Sequence, residues 1–526
     1  MARGHWPDMR CCRSTRQELL HWAAVIASAA RVTALDSRRD AGSGRRRGRD
    51  AVSAVNLELV TLTEDRAVVT WYTGVPGTDD GLGRMLPAVT EGEVVYGTHP
   101  ARLDRSAVGD GPSAYHYVEL TGLEPGQTYY YRARSRGRAA TPTPLHLVSG
   151  NAVGTSPYGL GSAGPYSFTT PQPPPGRYLF SIALCNDLHL GETTAGRIAG
   201  IPLLRGIAQS PGLAPYPEVM SRALVEDAAR CGADYLLAAG DISAEGGAAD
   251  LRRAKEILDG FGSYGEDYFV ARGNHDRPKA YDSFRDGFFE GDGPTYFSRD
   301  LHGLRVVGLD TYDKTGNGGG AGGLSQEQLS WFRDGLRQHE DQPTVVFGHH
   351  PLAVPHSPFP VTSGQRLDRR QARSILDGYA SAPGVFLHHA GHTHRNKRTV
   401  VPRAPGVTLQ EVSAVKEYPG GFCLLRIHSG GYALNYYKTR GGPAREWSER
   451  SRRQAAGIWP QFALGRSVLD RNSVTAHDLS GVHNRPAVNR RAVNPPAVNR
   501  PAVNPPVVNR PAASGPALLI GSEDRP

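Results

Sequence analysis

The chain has 526 residues, more than one compact core holds at about 100–200 residues per domain, so two folded domains with tails are expected. Hydrophobic residues make up 39% and charged residues 21%, low enough in apolar side chains for disordered segments, and no apolar run reaches the roughly 18 residues that a membrane span needs. The formal charge of +9 sits at the ends: residues 1–50 hold 11 arginines and five acids, residues 440–526 hold 13 and six, and the stretch between carries about −4. The folded part therefore offers no compositional case for a nucleic-acid partner.

In chain order, Arg13 and Arg16 precede the apolar stretch 19–26 and the small residues Ala27-Ser28-Ala29. A basic flank, a short apolar centre and an A-x-A pattern describe an export signal, so an exported protein is expected. Residues 14–20 resemble a twin-arginine signal with one arginine where two belong; a disordered Arg-rich leader is the plainer alternative. Residues 31–50 are a polar linker. From Val55 to Thr170 short alternating runs separated by Gly, Pro and Asp predict strands at sandwich-like spacing. Leu123-Glu124-Pro125-Gly126-Gln127-Thr128-Tyr129-Tyr130-Tyr131-Arg132 and Tyr166-Ser167-Phe168-Thr169-Thr170 resemble a turn and the closing strand of a fibronectin type III domain. The run Tyr129-Tyr130-Tyr131 is expected in the sandwich core.

Pro171 to Pro175 reads as a stiff hinge. Beyond it strands and helices alternate, which predicts a layered α/β domain over 178–440. Strands are expected at 178–184, 235–239, 268–272, 304–309, 344–347 and 384–387, helices at 217–230, 250–259 and 325–338, and a closing hairpin at 422–437 over Gly430-Gly431. Ser325 with Gln328 three residues on is a capping-box pattern. Cys185, Cys231 and Cys423 sit in or beside apolar runs and read as free thiols. From Val482 to Ala512 the sequence repeats about every five residues with proline in nearly every unit, which predicts an extended disordered tail, and the whole of 441–526 is assigned to it.

Five polar clusters follow the apolar strands of the second domain: Asp187-Leu188-His189, Gly240-Asp241, Gly273-Asn274-His275-Asp276, His349-His350-Pro351 and Gly391-His392-Thr393-His394. Ligands of α/β sheets gather beyond the carboxyl ends of the strands, so clusters 33 to 75 residues apart are expected to converge. Carboxylates, an amide and histidines together suit divalent first-row metals, and two ions close together stabilise attacking and leaving oxygens of a phosphate ester at once.

This ordered set is similar to that of the calcineurin-like metallophosphoesterase superfamily, over residues 178 to about 438. The resemblance implies a layered β-sandwich flanked by helices, with Asp187, His189 and His394 on a first divalent ion, Asn274, His349 and His392 on a second, and Asp241 bridging the two. It further implies Mn, Fe or Zn as the metals, attack of an activated hydroxide on a phosphate ester, and His275 as general acid or substrate-positioning donor. A sandwich ahead of such a domain resembles purple acid phosphatases, yet His189 stands where that family has glycine and Ala244 where it has a tyrosine ligand. A colourless or faintly coloured enzyme is therefore expected. Of the remaining polar residues, His350 is expected to be structural, His388 and His389 pocket wall or core, Asp276 an orienter of His275, and Glu192 either a support for the site or a solvated loop residue. The long loop 191–216 and the glycine-rich 316–323 are expected near the mouth. The D-x-H spacing brings a cyclic-nucleotide or other phosphodiesterase forward as the rival within the superfamily. A cell-surface binding protein with a structural metal site is the rival of another class.

Overall fold

The computed structural model describes residues 51–81, 84–142, 164–196, 206–289, 291–313, 320–355, 365–457 and 460–485. The expected export leader, the repeats from 486 onward and parts of the two mouth loops (197–205 and 316–319) lie outside the described residues.

The N-terminal region is built from β1 (Ser53–Leu62), β2 (Ala67–Val75), β3 (Gly92–Gly97), β4 (Arg105–Val108), β5 (Tyr115–Leu120), β6 (Thr128–Ser135) and β7 (Tyr166–Thr169). β1, β2 and β5 share one sheet and β4, β3, β6 and β7 another, all antiparallel. Strict alternation along β6 buries Tyr129 and Tyr131 against Phe168, while Leu57, Val69, Trp71 and Val118 cover them from the facing sheet.

The second region stacks two six-stranded sheets. β8 (Tyr178–Cys185), β9 (Tyr235–Ala239) and β10 (Tyr268–Ala271) run parallel in the first. β11 (Phe297–Leu301), β12 (Leu304–Leu309), β13 (Thr344–Gly348), β14 (Val385–Ala390), β15 (Lys397–Val401) and β16 (Ala404–Glu411) form the second, with β12, β13, β14 and β16 parallel. The hairpin β17 (Gly421–His428) and β18 (Gly431–Lys438) and then β19 (Asn472–Ala476) extend the first sheet in the order β10-β9-β8-β17-β18-β19.

Side-chain alternation builds four layers from these strands. Ile182, Leu184, Leu237, Phe269, Val306, Val345 and Phe347 fill the space between the sheets. The opposite face of β8 and β9 lies under α1 (Tyr216–Arg230), α2 (Ala248–Leu258) and the later Trp447, through Ala183, Leu236, Met220 and Leu224. The outer face of the second sheet lies under α4 (Gln326–Gln338) and α5 (Arg369–Ala380), through Val307, Val346, Phe332 and Ile375; a short α3 (Ser283–Phe288) precedes them. Ser325 caps α4 by accepting from Gln328 N–H at 3.1 Å, but the Gln328 side chain does not return to it. It bonds the Asp310 backbone instead, fixing α4 to the end of β12.

The boundary expected at residue 440 is corrected. Residues beyond it form α6 (Gly442–Ser451) and β19, because Trp447 is needed to cover the first sheet and β19 pairs with the exposed edge of β18. This C-terminal stretch also seats β1: Arg471 donates to the Val60 carbonyl at 3.1 Å and Asn472 Oδ1 accepts from Leu62 N–H at 3.0 Å, while Arg426 of β17 forks onto Glu64, just past β1, at 2.7 and 2.6 Å. At the centre of this contact Glu58, 1% exposed, accepts from Tyr418 at 2.5 Å and Lys438 at 2.6 Å and pairs with Arg452. Removing one partner of a buried charge cluster costs about 3–5 kcal/mol. Glu58→Gln is therefore expected to lower unfolding stability by that order in a denaturant titration; a change under about 1 kcal/mol contradicts the role given to Glu58.

Candidate metal centre

All five motif clusters start within three residues of a strand's end: Asp187 after β8, Asp241 after β9, Asn274 after β10, His349 after β13 and His392 after β14. The first three strands belong to one sheet and the last two to the other, so the site lies across the rim where both sheets end together. The backbone there is held in an uncommon conformation. Among the described non-glycine residues eight have positive φ, and Asp187, His189, Asp241, His392 and His394 are five of them, at +49° to +68°. Such left-handed residues are costly for side chains with a Cβ and gather at functional sites. Close approach adds to this: a Cβ on Gly273 would meet Asp241 Oδ1 at 2.1 Å, and one on Gly391 would meet Asp187 Oδ2 at 2.7 Å.

The seven expected ligand residues come together in one connected line of donor atoms. His394 Nε2 lies 3.0 Å from Asp187 Oδ1, His189 Nε2 lies 3.5 Å from Asp187 Oδ1 and 3.4 Å from Asp241 Oδ2, and His349 Nε2 lies 3.1 Å from that same Oδ2. His349 Nε2 is also 3.2 Å from Asn274 Oδ1 and 3.1 Å from His392 Nδ1. Asp187, His189 and His394 form one mutually close donor group, Asp241, His349 and His392 a second, and His189, Asp241 and His275 a third that overlaps both. Although buried, Asp187 Oδ1 and His189 Nε2 have no hydrogen-bond partner. Donors 3.0–3.5 Å apart are spaced so that bonds of about 2 Å from one ion reach them. The residues fit a metal.

The electrostatics point the same way. Burial opposes charge on both carboxylates, yet His394 and His189 hold Asp187, and His349, His275 and His189 hold Asp241, well below the usual carboxylate range. Burial pushes His349 and His394 down, but Asp241 and Asp187 outweigh it and raise each to about 9. Both shifts have the same cause, buried carboxylates facing imidazoles, so the pocket favours positive charge. Two of the far nitrogens are hydrogen-bonded, His349 Nδ1 to the Ala239 carbonyl at 2.9 Å and His394 Nδ1 to Glu417 at 2.8 Å, while His189 Nδ1 lies 3.0 Å from Glu192 Oε2. This leaves Nε2 of each for the centre.

His275 is partly exposed; its backbone N–H donates to Asp241 Oδ1 at 2.8 Å and its Nδ1 contacts the Ala244 carbonyl at 2.6 Å. Asp276 does not orient His275. It accepts from the N–H groups of Ile242, Ser243 and Gly273 and from Ser243 Oγ, which joins the second and third motif loops. His350 is buried between Thr311 Oγ1 at 2.7 Å and the Gly320 carbonyl at 2.9 Å. His388 and His389 lie buried within β14, on Tyr379 and the Cys185 carbonyl. Three contributors were not anticipated. Asn186 Nδ2 donates to Asp187 Oδ2 at 2.6 Å, and Glu417 and Lys416 follow β16 with no motif around them. Of these only Asn186, adjoining the first motif, had a positional signal.

Residues 180–396 match the profile of the calcineurin-like phosphoesterase family, and residues 52–147 that of the purple acid phosphatase N-terminal domain. The chain thus carries a calcineurin-like phosphoesterase domain behind a purple-acid-phosphatase-type N-terminal domain. It is 27% identical over 177 residues to a probable glycerophosphodiester phosphodiesterase from Arcobacter nitrofigilis, covering 32% of this chain and 59% of that relative's length. It is 27% identical over 217 residues to a probable cyclic nucleotide phosphodiesterase from Synechococcus, covering 41% of this chain and 73% of the relative. Among solved structures it is similar to a purple acid phosphatase from yellow lupin seeds (15% identity, TM-score 0.36, 74% of this chain and 73% of that one). It is also similar to a dimetal phosphatase from Danio rerio (18% identity, TM-score 0.36, 49% of this chain and 96% of that one).

Since no atom fits between Gly273 and Asp241, Gly273→Ala must displace a backbone loop, at the upper end of the roughly 1–3 kcal/mol that overpacking costs. Thermal unfolding is expected to show that loss, and full wild-type stability contradicts the close approach.

Proposed function

We propose that the chain is a dinuclear metal-dependent hydrolase of phosphate esters. One observation carries the reading: Asp241 Oδ2 lies between His189 and His349, joining two three-residue donor groups through a single carboxylate. Asp187, His189 and His394 would hold a first ion and Asn274, His349 and His392 a second, with Asp241 shared between them. The chemistry that Mn, Fe or Zn would supply there, when bound, is polarisation of phosphoryl oxygens and activation of water near neutral pH. The chain's own residues supply the rest. The His275 N–H fixes Asp241 through Oδ1 and leaves Oδ2 facing His189 Nε2 and His349 Nε2. With Nδ1 committed to the Ala244 carbonyl, Nε2 of His275 is the atom left to pass a proton to the leaving oxygen or to hydrogen-bond it.

Hydrolysis of diesters is the second reading, favoured by His189 in the D-x-H position and by both curated relatives being described as phosphodiesterases. Comparing p-nitrophenyl phosphate, its bis ester and cyclic AMP separates the two. The substrate is a small phosphate ester in either case. Among the described residues no helix is long and apolar enough to cross a membrane. Export belongs to this reading on the leader sequence alone.

Asp241→Ala is expected to abolish metal loading by elemental analysis and turnover with it. His275→Ala should keep its metals and lose about 10²–10⁴ in turnover, the usual scale for a general acid; full activity in that variant removes His275 from the mechanism. Loaded with iron, the protein should show no tyrosinate-to-metal absorption band, since Ala244 stands at the tyrosine position and the hydroxyl of the nearby Tyr216 is bonded to Glu192. A purple holoprotein contradicts this.

A further inference from the structure

We propose that Lys416 is the positioning residue for the Asp187 half of the centre, holding Glu192 and Glu417 so that His189 and His394 present Nε2 to the first ion; this rests on the dinuclear reading above. The Lys416 ammonium is buried, with its side chain 4% exposed, and touches both carboxylates: Glu192 Oε1 at 2.6 Å and Glu417 Oε2 at 3.1 Å. The other oxygen of each faces an imidazole, Glu192 Oε2 at 3.0 Å from His189 Nδ1 and Glu417 Oε1 at 2.8 Å from His394 Nδ1. A carboxylate at Nδ1 keeps the proton there and frees the Nε2 lone pair for a metal. The backbone joins in, since Lys416 N–H donates to the Asp187 carbonyl at 3.3 Å. Lys416 thereby reaches all three residues of one donor group.

Its own place is set from outside the motifs. Trp447 Nε1 of α6 donates to the Lys416 carbonyl at 2.7 Å, Tyr216 at the start of α1 donates to Glu192 Oε1 at 2.6 Å, and the two rings stack at 4.0 Å. In the other donor group His349 Nδ1 is set by the neutral Ala239 carbonyl. The buried Glu417, the partly exposed Glu192 and one buried ammonium leave a net −1 beside the first ion, and such groups persist in an interior only with their partners complete. A purely structural triad would affect folding stability and treat both ions alike. The positioning role touches one ion only.

The test uses the full chain, stripped by chelator and titrated with Zn²⁺, with metal per chain read by elemental analysis and stability by thermal unfolding. Wild type is expected to take up two equivalents. Lys416→Met and Glu192→Gln are each expected to keep one firmly and bind the other about 10–100-fold more weakly, the usual effect of removing an outer-layer partner. Lys438→Met, which removes a buried ammonium from Glu58 instead, should lower stability and keep both equivalents. If Lys416→Met does not fold, Glu192→Gln decides alone. Two equivalents held within about twofold of wild type in both variants, or both equivalents lost together, overturns the proposal. A wild type that takes up no zinc overturns the dinuclear reading itself.

Discussion

Two carboxylates, Asp187 and Asp241, are almost wholly withdrawn from water at the rim of a double sheet, and nearly every feature of the centre answers that cost. An isolated buried carboxylate is too expensive to keep ionised, so cations must stand beside it. Three histidine Nε2 atoms do so within 3.5 Å, and the strain of five left-handed residues is accepted to bring them there. The motif glycines have the same origin. Where Asp241 and Asp187 are packed against neighbouring backbone, no side chain has room.

The convergence of the five clusters was legible because each motif sits just past an apolar strand, and strand ends of one layered domain share a rim. That the rim belongs to two sheets came from the family resemblance, which implies a layered β-sandwich, and not from the strand pattern itself. An apolar run such as Tyr178–Cys185 looks the same whether helices cover both faces or a second sheet covers one. The helix Arg369–Ala380 shows its apolar residues at Ala372, Ile375, Leu376 and Tyr379, a helical spacing, but three arginines near its start obscured it. Lys416 and Glu417 carry no signature at all. They become part of the centre because β16 runs parallel to β14 and delivers the chain that follows it beside Asp187.

The C-terminal boundary failed for a related reason. Arginine-rich, proline-bearing sequence after residue 440 looks like solvated tail, yet Arg452, Arg471 and Trp447 are buried. Arg471 binds the carbonyls of β1, Arg452 pairs with Glu58, and Trp447 supports Lys416. A composition argument counts those arginines as surface charge, whereas here they clamp one domain onto the other. The same segment that secures the sandwich also supports one half of the donor set.

A dinuclear centre here requires a shared carboxylate. Anomalous diffraction from crystals of the metal-loaded chain measures it directly. Two peaks about 3.5–4 Å apart, on either side of Asp241 Oδ2, are the expected result. A single peak, or two peaks that do not share Asp241, contradicts it.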